Sequence, residues 1–126
     1  LGPNSAEPAI KVVQDMHLVG KINFGTFDLS PAIINGIKAG IIQYAIDQQP
    51  YLQGYMGIAT LVIAHDQKTN DPKKIIDTLK ANPKFQARLK QYDLKPIYTA
   101  TGVSSGPAFV TKDNVSTVEK YAGQYR

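Results

Sequence analysis

Asn4, Asp28 in "TFDLSP", and Asp47, Gln48 and Gln49 in "AIDQQP" are the side chains best placed by type to hold a ligand. Each group lies at a junction where an apolar or loop stretch gives way to a helix-like one. A carboxylate accepts two or more hydrogen bonds, and an amide both donates and accepts. Such a set suits a polyhydroxylated ligand. Simpler roles compete. Asn4 can be a helix N-cap, and Gln48 or Gln49 can be a solvated loop residue. Asp28 is harder to absorb, because Ser30 already supplies a cap before Pro31. The helix N-termini behind these groups add free N–H donors and a positive dipole end.

Enzyme chemistry finds little support in the motifs. "GVSSG" (102–106) matches the Gly-x-Ser-x-Gly string, but the elbow needs a strand before it and a helix after it, and here Pro107 and "AFV" follow. Both histidines, His17 and His65, precede those serines and lie near predicted helix ends, where they favour the helix dipole. No carboxylate pair accompanies them as a metal site. Neither a Gly-x-Gly-x-x-Gly nor a phosphate-loop pattern occurs. The sequon "NVS" (114–116) is a frequent chance match. The reading is therefore a non-enzyme with no catalytic residue, metal or cofactor.

The elements that must position these groups alternate. Asn4 and Glu7 form a capping-box pattern, followed by a helix with Ile10, Val13 and Met16 on one face and Gly20 closing it. "KINFGTF" (21–27) reads as a strand. Ser30 and Pro31 open a helix that Gly40 ends, and "IIQYAI" (41–46) is the next strand. Pro50 starts a helix to about His65 whose second half is apolar nearly all round, which predicts deep burial. Asp71-Pro72 and Asn82-Pro83 open two more. "KPIYTAT" (95–101) is a strand, "GVSSGP" a break, "AFVT" (108–111) extended, and "KDNVSTVEKYAGQY" the last helix. This order predicts an α/β fold with a mostly parallel sheet. In open parallel sheets, ligands bind beyond the carboxyl ends of the strands, where these polar groups fall.

Composition narrows the class. A chain of 126 residues, 43% hydrophobic and 19% charged, can bury a sizeable core and does not read as disordered. It has no cysteine, which excludes disulfides and thiolate metal sites. "YMGIATLVIA" (55–64) is too short to span a bilayer. The formal charge of +4 sits entirely in residues 71–95, where seven Lys and Arg face three Asp. A basic patch can bind nucleic acid. The reading preferred is two solvated helices with apolar stripes Ile75, Ile76, Leu79 and Phe85, Leu89, Tyr92, and no nucleic-acid partner. A doubly wound fold normally places a strand before a loop like the one at Asn4, so the chain reads as joined in mid-fold.

With the junctions placed, the segments "GPNSAEPAIK", "GTFDLSPAIINGIKAG", "AIDQQPYLQGYMG" and "GPAFVTKDNV" resemble the carboxyl-terminal part of the type I periplasmic sugar-binding proteins of ABC importers. The resemblance implies a two-lobed clamp with parallel sheets flanked by helices. Residues 1–48 would belong to the carboxyl-terminal lobe, 49–103 would pack on the amino-terminal lobe, and 104–126 would return. Asp28, Gln48 and Asn4 would bond sugar. Asp47 and Gln49 at one crossing, and Ser104 and Ser105 at another near Gly102 to Pro107, would be hinge residues.

The resemblance further implies a sugar ligand, a membrane permease, a periplasmic or other extracytoplasmic location, and a complementary amino-terminal portion of the same protein. The alternative is the effector-binding core of a LacI-type transcription repressor, which shares the fold. Micromolar affinity corresponds to about −8 kcal/mol, and a hydrogen bond to a charged group contributes roughly 1.5–3 kcal/mol. After binding entropy is subtracted, three polar groups fall short of that. The resemblance also implies aromatic faces that hold the sugar ring, and these are expected from the missing portion. Apolar surface is expected to be left bare along residues 55–64.

Overall fold

The computed structural model describes residues 2–106 and 108–126. Leu1, and Pro107 within the crossing expected near Gly102 to Pro107, lie outside the described residues. The chain divides into two compact units: residues 2–48 with 108–126, and Gln49–Gly106.

The first unit is built from α1 (Pro3–Asp15), β1 (Gly25–Phe27), α2 (Pro31–Lys38), β2 (Tyr44–Asp47), β5 (Ala108–Val110) and α6 (Val115–Val118), with a 3-10 turn at Glu119–Tyr121. The strands form one sheet in the order β1-β2-β5. β1 and β2 pair in parallel with Phe27 opposite Ile46, whereas β5 joins β2 antiparallel with Asp47 opposite Ala108. The expected parallel pairing therefore holds for one pair of strands, and the returning chain closes the other edge antiparallel. Thr26, Ala45 and Val110 alternate onto the buried face. They sit with a core of Ala6, Val13, Ile33, Ile34, Ile37, Val115 and Val118 drawn from α1, α2 and α6. The opposite face carries Phe27, Tyr44 and Phe109, all exposed, with the Tyr44 and Phe109 rings edge to face at 5.8 Å. Gly25 lies under Tyr44; a Cβ there would stand 2.5 Å from its ring.

The second unit holds α3 (Pro50–Asp66), α4 (Pro72–Ala81), α5 (Pro83–Gln91) and an antiparallel hairpin of β3 (Ile97–Tyr98) and β4 (Val103–Ser104). Caps set two of its helices: Asp71 accepts from Lys73 N–H at 2.9 Å, and Asn82 accepts from Lys84 N–H at 2.9 Å and Phe85 N–H at 3.1 Å. Ile76, Leu79, Phe85 and Tyr92 are buried, with Ile75 and Leu89 half-buried. The basic charges lie outside, Lys73 paired with Asp77 at 2.7 Å and Lys80 over the Tyr98 ring at 4.7 Å.

Several local expectations are corrected. Pro3 at the first turn starts α1 with Gly2 as N-cap, so Asn4 lies inside the helix and makes no capping box. Glu7 instead accepts from the Ser30 hydroxyl at 3.0 Å. α1 ends on His17, at φ = 54°, with Leu18 N–H donating to Val13 O at 2.9 Å, rather than on Gly20. Lys68 and Asp93 end α3 and α5 in the same left-handed way; Gly40 does so for α2, as expected. The first strand covers three residues, not seven, and Val103–Ser104, read as a break, is a strand. The final helix shrinks to one α turn and one 3-10 turn. The second half of α3 is not deeply buried: Ile58, Leu61 and Val62 are 65%, 67% and 52% exposed. That face is the bare apolar surface expected along 55–64.

Candidate functional site

The carboxyl edge of β1 and β2 gathers the polar residues singled out in the first unit. Asp28 continues the parallel ladder one step past β1, its N–H donating to Ile46 O at 2.8 Å. It then takes φ = 61°, a left-handed conformation that costs a non-glycine residue about 1–2 kcal/mol, although Asp tolerates it better than most. Leu29 drops into the core and Ser30 caps α2, its Oγ accepting from Ile33 N–H at 3.3 Å. Asp28 is therefore spared from capping, as its position after Phe27 suggested. Its Oδ1 is buried and has no hydrogen-bond partner. Leaving such an acceptor unsatisfied costs about 1–3 kcal/mol and calls for a reason.

Gln48 follows β2 at the same edge and is exposed. Asn4 is exposed on the first turn of α1, whose start is drawn to that edge by the Glu7–Ser30 bond. The edge thus brings Asp28 and Gln48 to the ends of neighbouring parallel strands. Helix starts here leave N–H groups for an acceptor.

Asp47 and Gln49, on either side of Gln48, behave differently. Asp47 is fully buried, and its Oδ2 accepts from Arg126 Nε at 2.7 Å; Arg126 is itself buried. The turn that brings Arg126 there packs on the start of α2. Gly123 has φ = 77°, and a Cβ at this position would meet Pro31 Cδ at 3.6 Å. Gln49 is fully buried at φ = 50°, so a solvated-loop role is excluded. Its Nε2 donates to the carbonyls of Lys95, at 3.2 Å, and of Ser105, while its Oε1 accepts from Lys95 N–H at 2.7 Å. The side-chain amide thus serves as a piece of backbone, satisfying groups from two other segments of the second unit. Ser104 Oγ bonds across its own turn to Gly106 O at 2.8 Å, and Ser105 is buried. Sequence reading missed Arg126 altogether. A single arginine 79 residues from its partner leaves no local signal.

Comparison with known proteins agrees with this architecture. Residues 1–69 match the family described as periplasmic binding protein domain. The xylose/arabinose-binding protein XylF of Sulfolobus acidocaldarius is 31% identical over 100 residues, covering 78% of this chain and 24% of its own length. The crystal structure of a carbohydrate transporter from Acidothermus cellulolyticus, in complex with myo-inositol, superposes with a TM-score of 0.53 at 30% identity. It covers 90% of this chain and 30% of that one. The chain belongs to the family of periplasmic binding protein domains, as "FDLSP" and "IDQQPYLQG" led one to expect. It spans about a quarter to a third of the length of these two relatives.

Proposed function

We propose that this chain forms the carboxyl-terminal portion of a sugar receptor of an ABC importer. The observation that carries the reading is the buried, unpartnered Oδ1 of Asp28 at the carboxyl edge of β1, on a backbone held in a strained conformation. A carboxylate so placed awaits donors, and sugar hydroxyls are donors. Gln48 and Asn4 add an amide each, and the other wall of the cleft comes from a complementary amino-terminal portion. One lobe comprises residues 2–48 and 108–126 and the other residues 49–106, with Ser104 and Ser105 just ahead of the return to the first lobe. Asp47, Gln49, Ser104 and Ser105 mark the crossings about which the lobes close on a monosaccharide-like ligand.

The closed form then docks on a membrane permease outside the cytoplasm. The receptor carries out no chemical step. One relative is named for binding pentoses and the other is a carbohydrate transporter, which favours an importer over a repressor core. A thermal-shift titration of the full-length receptor with xylose, arabinose and myo-inositol tests the reading. A ligand at 100 times its Kd stabilises by about 2.7 kcal/mol, a shift of several degrees. No shift with any of the three at millimolar concentration would count against it.

A further inference from the structure

Asp47, Gln48 and Gln49 alternate between fully buried, exposed and fully buried. The division between the two compact units falls between Gln48 and Gln49. Each buried neighbour is tied within its own unit: Asp47 to Arg126, and Gln49 to Lys95 and Ser105. These ties reach 79, 46 and 56 residues along the chain, so they are tertiary bonds rather than local turn contacts. We infer that the Asp47–Arg126 pair and the Gln49 amide are paired anchors that fix the backbone on both sides of Gln48. The backbone leading into and out of Gln48 is thereby held, and its side chain is presented in one orientation.

The chemistry supports anchors rather than filler. A buried ion pair gains little net stability over apolar side chains of the same volume, but it is directional, and a bond through Nε allows few geometries. Gln49 holds a left-handed conformation that its three side-chain bonds over-determine, which is how such strain persists. Arg126 is thus a positioning residue: it acts on the ligand-facing Gln48 through Asp47. The part of this inference that concerns ligand rests on the sugar-receptor reading; the anchoring does not.

The test uses the full-length receptor and two readouts. Hydrogen exchange of the segment 44–49 without sugar reads the anchor, and calorimetry with myo-inositol, xylose and arabinose reads its effect on binding. Arg126→Met should speed exchange there at least 10-fold. The double variant Asp47→Leu with Arg126→Met removes the unpaired buried charge. It should recover the thermal midpoint yet keep the fast exchange and bind about 10-fold more weakly. Exchange at wild-type level in either variant would overturn the anchor. Recovery of both protection and affinity by the apolar pair would reduce Arg126 to packing. Gln48→Ala separates the two ideas: unchanged affinity with the expected exchange pattern removes the sugar role of Gln48 and leaves the anchors standing.

Discussion

The two units solve the burial problem differently. The first collects α1, α2, α6 and one face of a three-stranded sheet around a single core, with Ile33 and Ile37 wholly buried. The second leaves the longest helix of the chain bare along one side. Gly54, Gly57, Ile58, Leu61 and Val62 recur at helical spacing on that side, and nothing lies within 4 Å of a Cβ placed on either glycine. Beside it runs a groove of about 370 Å³ between α3 and β4, lined by Met56, Gly57, Thr60 and Val103. A helix apolar on nearly all sides belongs in an interior. The lesson is that the first unit carries its own core together with the polar edge, while the second is shaped to be covered. Under the receptor reading the cover is the complementary portion.

This contrast can be broken or sharpened by substitution. Ile37→Ala, in the first core, should cost about 2–5 kcal/mol in urea unfolding followed by hydrogen exchange in α2. Gln49→Ala removes bonds to three backbone groups of the second unit, one buried and two part-buried, and should cost about 2–3 kcal/mol, at roughly 1–3 kcal/mol for a group not reached by water. Asn82→Ala removes a cap shared by two N–H groups and should cost about 1 kcal/mol, read in the exchange of α5. Leu61→Ser, on the bare face, should change the stability of this chain by no more than about 0.5 kcal/mol while reducing its self-association in sedimentation. If Leu61→Ser destabilised the chain as much as Ile37→Ala, the distinction between a closed and an open unit would fail.

Local chemistry was legible wherever a single turn decides the outcome. Ser30-Pro31, Asp71-Pro72 and Asn82-Pro83 each paired a capping oxygen with a proline at N1, and each opened a helix. Asn4 misled because the N-cap is Gly2, two residues earlier, and Pro3 opens the helix with Asn4 inside it. Helix ends were harder to read. His17, Lys68 and Asp93 take the left-handed position that a reader assigns to glycine. The surplus of Asp28 could be seen in sequence because Ser30 left it no capping work. The burial of Gln49 and the Asp47–Arg126 pair could not, because their partners arrive from distant parts of the chain. α3 was legible only in part. Its composition asks for an interior, yet Ile58, Leu61 and Val62 are exposed in this chain, and a covering lobe is what the resemblance leads one to expect.

The most direct test is calorimetric titration of the full-length receptor and its Asp28→Ala variant with the sugar that shifts the wild-type melt. Two lost hydrogen bonds to a charged group, at roughly 1.5–3 kcal/mol each, amount to about 3–6 kcal/mol. At 1.4 kcal/mol per tenfold, the affinity should fall about 100-fold or more while the melting temperature without sugar stays nearly constant. Equal affinity in the two proteins would contradict Asp28 as the carboxylate that holds the ligand.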